Sequence, residues 1–256
     1  MIELKPKNEL ISIVLPTYNS SKYISITIES ILSQDYLNWE LIITDDCSTD
    51  NTLSILEEFA LKDRRIKIYK LKVNSGAAAA RNNSLKYCNS KFICFIDSDD
   101  SWNYNKLTYQ LNFMKKTSSP ISFTSYKLIN EMGEDLNRII KTKKRVNYSS
   151  YLKNTIIGMS TSMVNTFITG PILFKNIRTR QDTYLWITLL RRGFIAYGIE
   201  KSLASYRVRN DSISSNKIKA AKQVWRLYYD FEDLGFIKSS YYFCFYIFNA
   251  IKKRLS

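Results

Sequence analysis

Residues 91–102 read KFICFIDSDDSW, an apolar run that ends in three closely spaced carboxylates. The run from Phe92 to Ile96 is short, aromatic and β-branched, which predicts a buried strand. Asp97, Asp99 and Asp100 follow it at once, and carboxylates so close together repel one another. Burying them without partners is costly, so this segment needs either a bound cation or full exposure to water. The first case is a metal site and the second is an ordinary turn.

Three more apolar runs precede this stretch, with predicted helices between them. They are residues 10–16 (LISIVLP), 39–46 (WELIITDD) and 66–71 (IKIYKL). Ser20 or Ser21 is placed to cap a first helix, on which Ile24 to Leu32 recur at helical spacing, and the segment CSTDNT precedes a second helix. Strands that alternate with helices through the first 100 residues predict a mostly parallel, doubly wound sheet.

Polar residues follow the strand ends of this predicted sheet at three places. They are the PTYN segment (16–19), the Asp45–Asp46 pair and the acidic segment 97–100. Ligands of doubly wound sheets bind at the carboxyl ends of the strands, so we expect these segments to converge on one edge. That convergence favours a ligand site over a turn.

Later in the chain, the pattern predicts two helices and one strand. The helices are 106–116 and about 182–192, the latter ending at Gly193, and the strand is 120–130. Residues 131–150 are polar and read as a loop or hairpin rather than a domain boundary.

Composition excludes several classes of protein. With 256 residues, 45% of them hydrophobic, the chain can bury a sizeable core. The four cysteines are scattered and there is no histidine, so neither a disulfide framework nor a Cys/His zinc site is expected. The N-terminus does not resemble a signal peptide, and no window reaches the roughly 18 apolar residues of a membrane span. We therefore expect a chain that is neither secreted nor integral to a membrane.

The net charge of +15 is unevenly distributed, because basic residues outnumber acidic ones strongly from Thr183 to Ser256. This excess indicates that the C-terminal third faces something anionic. Phospholipid, nucleic acid and a phosphorylated substrate all meet that description.

The ordered motifs PTYN, DDCSTDNT, NSGAAAARN and DSDD, each at a strand-to-helix junction, resemble those of the family 2 glycosyltransferases. The resemblance covers about residues 10–210. It implies a GT-A fold, an α/β Rossmann-like architecture with a mostly parallel sheet flanked by helices, and a nucleotide-diphosphate-sugar donor. We expect a catalytic domain over residues 1–215, with a nucleotide-sugar half at about 10–130 and an acceptor half at about 131–215, followed by a basic, aromatic helical tail at 216–256.

The same resemblance implies roles for individual residues at the donor site. The implied donor-binding set is Pro16, Thr17, Tyr18, Asn19, Asp46, Arg81, Asp97 and Ser98, with Asp99 as the ligand of Mn²⁺ or Mg²⁺. Tyr18 would cover a uracil base whose imide N–H donates to Asp46, a suitable acceptor. Arg81 would bind the diphosphate or the base, and Asp97 the ribose. A divalent cation held by one or two carboxylates and by phosphate oxygens suits a departing diphosphate.

Each assignment has a simpler alternative. Asp99 or Asp100 could cap a helix near residue 103, Asp45 and Asp46 could open a capped loop, and Arg81 could be a solvated helix charge.

The resemblance also implies a general base, Asp182 in the segment TRQDTYLWITLLRRG. Gln181 precedes it where the family commonly has Glu. Deprotonation of the acceptor hydroxyl by Asp182 would allow a single displacement, which converts an α-linked donor into a β-linked product. The alternative is that Asp182 is a charge favoured by the helix dipole. Trp186, one turn later, either stacks on a sugar or belongs to the core.

One position departs from the family pattern. Members often have a histidine shortly after a Tyr-Arg pair, whereas this chain reads Tyr206-Arg207-Val208-Arg209. Arg209 cannot bind a metal, so the completeness of the metal shell is left open.

The tail contains an apolar, tyrosine-rich run at 241–248 followed by basic residues at 252–254. This composition suits a helix at the inner surface of the cell membrane, although packing on the domain or a homodimer seam would also cover the run. By analogy with the family, a basic, peripheral, inverting enzyme without a spanning segment fits transfer from a UDP-sugar to a polyprenyl-diphosphate-linked glycan in O-antigen or capsule synthesis.

Two rival functions remain at this level. A nucleotidyltransferase would usually bring an N-terminal glycine-rich loop, and no glycine precedes Gly76. A basic nucleic-acid or membrane-binding module would be hindered by acidic residues at the strand ends, so we expect no nucleic-acid partner.

Overall fold

The computed structural model describes residues 9–209 and 217–255; at 217–219 and 252–255 it describes the backbone only. Its first half is a parallel strand–helix repeat. The strands are β1 (Ile11–Thr17), β2 (Trp39–Asp45), β3 (Ile66–Lys70) and β4 (Phe92–Phe95), and the helices between them are α1 (Ile24–Leu32), α2 (Thr52–Lys62) and α3 (Ala77–Leu85). The strands lie in the order β3-β2-β1-β4, and all three pairings are parallel. The alternation predicted for the first 100 residues is confirmed.

The second half extends the same sheet with mixed polarity. Its elements are β5 (Ser101–Trp102), α4 (Lys106–Thr117), β6 (Ile121–Ile129), β7 (Asp135–Ile140), β8 (Arg145–Val146), α5 (Tyr148–Lys153), a 3₁₀ turn (Met159–Thr161), β9 (Ser162–Asn165), α6 (Thr166–Thr169), α7 (Gln181–Arg191) and β10 (Ala196–Arg207). Strand β9 runs antiparallel to both β4 and β6, and β10 is parallel to β6. Strand β7 folds back on β6, so the segment predicted to be a loop or hairpin contains a hairpin.

Both faces of the sheet are covered, which explains why β1 and β4 are largely apolar without alternation. Along β1, Val14 packs into the core on one face, whereas Ile13 and Leu15 pack into the core on the other, since successive side chains point to opposite faces. Helix α3 lies close to β1 because Ala78 and Ala80 are small and buried. The predicted α/β fold class is thereby confirmed.

The start of α1 differs from the prediction. The helix begins at Ile24, and neither Ser20 nor Ser21 caps it with its side chain. Instead the Ser20 carbonyl accepts the N–H groups of Tyr23 and Ile24, and the Ser20 hydroxyl is 2.7 Å from that of Ser98. The hydroxyl that was expected to cap the helix therefore makes a long-range contact with residues 97–100, the acidic loop.

The C-terminal elements pack back on the domain. They are α8 (Lys217–Arg226), a π-helical turn (Leu227–Phe231) and α9 (Gly235–Leu255). On α9, the Asn249 amide donates to the Lys153 carbonyl of α5 at 3.1 Å, and Tyr242, Phe243 and Tyr246 are partly buried against the core. Within 9–209 and 217–255, no helix is both long and apolar enough to span a bilayer. The proposed boundary at 215–216 and the side chains at 252–254 lie outside the described part of the chain.

Candidate active site

The predicted polar segments converge at the carboxyl edge of the sheet, because β1 and β2 end in register. Thr17 and Asp45 are direct neighbours across that parallel pair. After β4, the backbone turns at Asp97, whose carbonyl accepts the Asp100 N–H at 3.1 Å. The Thr27 hydroxyl of α1 then donates to the Asp100 carbonyl at 2.8 Å. Helix α1 thus holds the acidic loop against the end of β1.

Asp100 is the structural member of the acidic cluster. It is 1% exposed, and its carboxylate accepts the backbone N–H of Arg207 at 3.0 Å and the hydroxyl of Ser160. Burial, and secondarily the charges of Asp99 and Asp97, raises the pKa of Asp100 well above its ordinary value. Neither Asp99 nor Asp100 caps the next helix, since α4 begins at Lys106. The helix-cap alternative is therefore wrong for both residues.

Asp97 is held by a buried arginine. Arg81 Nη2 lies 2.6 Å from Asp97 Oδ1, and the Arg81 side chain is 5% exposed whereas that of Asp97 is 35% exposed. Among the described residues, Arg81 Nε and Nη1 have no hydrogen-bond partner. The guanidinium carbon lies 5.3 Å from the ring centroid of Phe174. The alternative of a solvated helix charge is wrong, because this guanidinium is buried with donors to spare.

Asp99 lies opposite a second arginine. Arg209 Nη1 is 3.3 Å from Asp99 Oδ2, and both side chains are about a quarter exposed. Burial first, and the charge of Asp97 second, raises the pKa of Asp99. Arg207 binds the backbone of the same residue, since its Nε donates to the Asp99 carbonyl at 2.9 Å.

Asp46 organises the loop that leads to Arg81. It is 3% exposed, and its two oxygens accept the N–H groups of Ser75 and Gly76 at 2.7 Å each. Gly76 has φ +91°, a conformation that favours glycine, directly before α3 begins. A carboxylate oxygen has more than one lone pair, so Asp46 can still accept a further donor.

The segment 16–19 begins buried and ends exposed. Thr17 is 3% exposed, whereas Tyr18 is 46% exposed and its ring is accessible to a ligand. Asn19 has φ +46°, and its Oδ1 accepts the Thr49 N–H at 2.8 Å. The PTYN and DDCSTDNT segments therefore form one rim of the site.

Asp182 is the second residue of α7 and is half-buried. The segment before α7 is fastened to α3, because Asn82 and Phe174 exchange two hydrogen bonds of 2.8 Å. Phe174, which precedes Asp182 in the chain, therefore lies beside Asn82, the residue that follows Arg81. Trp186 is fully buried, so it belongs to the core and does not stack on a sugar.

Comparison with known proteins identifies the family of this chain. The family model described as "Glycosyl transferase family 2" matches residues 12–184. The chain belongs to glycosyltransferase family 2. This confirms the predicted family and the prediction of a glycosyltransferase rather than a nucleotidyltransferase or a non-enzymatic binding module.

Relatives of this family 2 glycosyltransferase include one named for a biosynthetic process and one named for its donor and acceptor. TuaG of Bacillus subtilis, named for teichuronic acid biosynthesis, is 47% identical over 246 residues, which are 96% of this chain and 98% of the relative. WfgD of Escherichia coli is named as a UDP-Glc:α-D-GlcNAc-diphosphoundecaprenol β-1,3-glucosyltransferase. It is 38% identical over 245 residues, covering 95% of this chain and 94% of WfgD.

Solved structures show the same fold at low sequence identity. Staphylococcus aureus TarS in complex with UDP-GlcNAc matches with a TM-score of 0.70 and 24% identity, over 85% of this chain and 64% of TarS. The mannosyltransferase PcManGT of Pyrobaculum calidifontis, in complex with GDP-Man and Mn²⁺, matches with a TM-score of 0.69 and 17% identity, over 88% and 65% of the two chains. This glycosyltransferase spans less than two thirds of either protein.

The carboxylates of the glycosyltransferase fit a shared metal site rather than a complete cage. Asp97 and Asp99 are partly exposed oxygen donors of like charge, the type that Mg²⁺ and Mn²⁺ bind together with substrate phosphates. Within the part of the chain that the structure describes, no three His, Cys, Asp or Glu residues group closely enough to hold a cation by themselves. Any cation there would need ligands from the donor.

Sequence reasoning missed Ser160 as part of the site. Its hydroxyl accepts the Asp97 N–H at 3.0 Å and donates to the Asp100 carboxylate, so one side chain sets both ends of the acidic loop. It lies in the 3₁₀ turn before β9, where no local motif marks it.

Proposed function

We propose that this family 2 glycosyltransferase transfers a sugar from a UDP-sugar to a polyprenyl-diphosphate-linked oligosaccharide in the synthesis of a bacterial surface polysaccharide, either O-antigen or capsule. The reaction depends on Mn²⁺ or Mg²⁺ and inverts the anomeric centre to give a β-linkage. The donor sugar is a hexose or an N-acetylhexosamine.

The observation that carries the proposal is the buried guanidinium of Arg81. It is held by Asp97 at 2.6 Å, while Nε and Nη1 have no partner among the described residues. A buried donor without a partner is costly, and an anionic ligand at the site would offset that cost. A diphosphate is the ligand whose charge and oxygen atoms suit a guanidinium next to carboxylates.

The names of relatives support the donor and acceptor classes. WfgD is named for UDP-Glc and a diphosphoundecaprenol-linked acceptor, and TarS binds UDP-GlcNAc. We assign the same classes of donor and acceptor to this chain, but we do not assign the particular sugar.

In the proposed reaction, each residue has a defined task. Tyr18 covers the uracil, Asp46 accepts its imide N–H, and Asp97 binds the ribose. A cation bound at Asp99 would offset the charge that develops on the leaving diphosphate. Asp182 takes the proton from the acceptor hydroxyl, whose oxygen attacks the anomeric carbon as the bond to the diphosphate breaks.

From the proposed acceptor class we infer that the enzyme works at the inner face of the cell membrane. Helix α9 supports this location, because its outward face carries a stripe of exposed apolar residues. The stripe consists of Ile237, Tyr241, Phe245, Phe248 and Ile251, which are 39–84% exposed. Lys153 Nζ lies 5.1 and 4.8 Å from the ring centroids of Tyr241 and Phe245, which adds positive charge beside the stripe.

Calorimetric titration of UDP into the purified protein, with and without Mn²⁺, tests the donor assignment. We expect Mn²⁺-dependent binding by the wild type and its loss in Asp99→Ala. Asp135→Ala is the matched control, since Asp135 pairs with Lys127 on the hairpin at 3.3 Å. Wild-type protein that binds no UDP in either condition would contradict the proposed donor.

A further inference from the structure

We propose that Arg209 changes partners when the donor binds: it neutralises Asp99 in the metal-free enzyme and moves to the donor's diphosphate when a divalent cation takes Asp99. This inference rests on the proposed function, because it needs a nucleotide-diphosphate donor. It gives a role to the position at which the sequence departs from the family pattern.

The contact between Arg209 and Asp99 is the first step of the argument. Arg209 Nη1 lies 3.3 Å from Asp99 Oδ2, and the two side chains are 28% and 25% exposed. By comparison, Arg81 and Asp97 are 2.6 Å apart and the arginine is buried. A longer, partly exposed pair contributes little and separates at little cost. A cation arriving at Asp99 would meet the guanidinium as a like charge and displace it.

The second step is the contrast between Arg209 and Arg207. The Arg207 side chain is buried, and its guanidinium donates to the carbonyls of Asp99, Asn130 and Glu131. The bond from Nε holds the backbone of Asp99 regardless of what its carboxylate binds, and the other two anchor the guanidinium. Arg209 lies two residues beyond the end of β10 and contacts the side chain of Asp99 rather than its backbone. The loop can therefore stay in place while only side-chain partners exchange.

The third step is the position of the Arg209 side chain beside the acidic loop. Its guanidinium carbon lies 5.4 Å from the ring centroid of Tyr23, and that of Arg207 lies 4.8 Å from the same centroid. Tyr23 is buried directly before α1, so its ring supports the Arg209 side chain next to the acidic loop. Diphosphate oxygens that share a cation with Asp99 would lie within reach of a guanidinium that has just left Asp99.

Charge balance gives the same answer. Asp97 and Asp99, the two partly exposed carboxylates of the acidic loop, are paired one to one with the cations Arg81 and Arg209. A divalent cation at Asp99 replaces the charge that Arg209 supplied there, and the diphosphate brings new negative charge beside it. Guanidinium binds phosphate oxygens in paired, charge-assisted hydrogen bonds and stays protonated, so it is suited to the second partner.

The experiment measures Mn²⁺ binding and UDP binding separately. Mn²⁺ alone is titrated by electron paramagnetic resonance, and UDP is titrated by calorimetry at saturating Mn²⁺. In Arg209→Gln we expect Mn²⁺ alone to bind about two- to fivefold more tightly, because no ion pair must be broken. We expect UDP to bind about tenfold more weakly, because a charged hydrogen-bond donor is lost. The two affinities change in opposite directions.

Two further variants complete the test. Arg226→Gln removes the same charge from an exposed ion pair on α8, Arg226 Nε to Asp230 Oδ2 at 3.2 Å, and should alter neither affinity. Arg209→Lys keeps the charge and should give intermediate values; it also serves if Arg209→Gln folds poorly by circular dichroism.

Unchanged or weaker Mn²⁺ binding in Arg209→Gln would overturn the competition at Asp99. Unchanged UDP affinity would overturn the diphosphate as second partner. Both results leave the proposed function intact, provided that the wild type binds UDP with Mn²⁺. If the wild type does not, the proposed function itself fails, and with it the second half of this inference.

Discussion

Arg81 Nη2 lies 2.6 Å from Asp97 Oδ1 and joins helix α3 to the acidic loop after β4. The pair is asymmetric, because the arginine side chain is 5% exposed and the aspartate 35% exposed. One carboxylate thus orients a buried guanidinium whose Nε and Nη1 have no partner among the described residues. An arginine so placed is expected to serve ligand binding more than folding.

Arg81→Met tests that expectation. We expect UDP to bind at least about tenfold more weakly, because charge-assisted hydrogen bonds to the diphosphate are lost. The melting temperature should change little or rise, since two buried donors without partners are removed while Asp97 stays partly hydrated. Calorimetry and thermal unfolding give the two readings.

The control is Arg65→Met. Arg65 Nη2 also pairs with an aspartate at 2.6 Å, Asp63 Oδ2, but outside the candidate site. It should leave UDP affinity unchanged. A large fall in melting temperature for Arg81→Met, with UDP affinity intact, would mean that Arg81 has a structural role only.

Asp182→Asn should separate binding from chemistry. The substitution removes the proposed general base and keeps the size of the side chain, so UDP affinity should stay within about twofold while the transfer rate falls about 10²- to 10⁴-fold. Transfer to a polyprenyl-diphosphate-linked acceptor and UDP calorimetry are measured on the same preparation. Asp230→Asn, on the π-helical turn, is the control. A transfer rate near that of the wild type would show that another group takes the proton.

Lys106 predicts a pH dependence of stability. It is fully buried, its Nζ donates to Gln110 Oε1 at 2.7 Å, and burial lowers the pKa of Lys106 from 10.5 to about 8. Below pH 8 the lysine is protonated in both the folded and the unfolded chain. Between pH 8 and 10.5 the folded lysine loses its proton while the unfolded one keeps it, so its contribution to stability rises with pH.

Lys106→Met should therefore raise the free energy of unfolding at pH 7, with a gain that shrinks by about 3 kcal/mol as pH rises through this window. Urea unfolding at several pH values measures the difference from wild type. Lys116→Met, at an exposed position of the same helix, should show no such trend. A difference that stays constant with pH would mean that Lys106 keeps its ordinary pKa.

The apolar stripe of α9 predicts membrane binding. Tyr241→Ser with Phe248→Ser removes two side chains of the stripe, which are 50% and 65% exposed. We expect the wild type to bind vesicles that contain phosphatidylglycerol more strongly than neutral phosphatidylcholine vesicles, and the double variant to bind about tenfold less. Vesicle co-sedimentation measures both.

Leu61→Ser is the control for the stripe, because Leu61 is 89% exposed on α2, away from α9. It should sediment with vesicles as the wild type does. A wild type that ignores vesicles but forms a dimer, which the double variant does not form, would instead identify the stripe as a homodimer seam.

Local pattern was sufficient for the fold class and for the sheet edge at which the polar segments meet. The run Phe92 to Ile96 and its counterparts 10–16 and 39–46 are apolar because both sheet faces are covered, and their lengths suit strands. Once strands alternate with helices, parallel pairing brings their carboxyl ends together, and the motifs at those ends must meet. These conclusions need only neighbouring residues and the handedness of the chain.

The sequence by itself therefore determined the α/β sheet, the edge at which the polar segments meet and the family to which the chain belongs. Only the tertiary structure decided which acidic residue is buried, which arginine pairs with which aspartate and which serine is hydrogen-bonded to the acidic loop. Asp100 receives hydrogen bonds from Ser160 and Arg207, which are 60 and 107 positions away. Ser20 or Ser21 was expected to cap a helix, and Ser20 instead contacts Ser98, 78 positions away. Hydrogen bonds over such separations depend on where the whole chain packs, and no local periodicity encodes them.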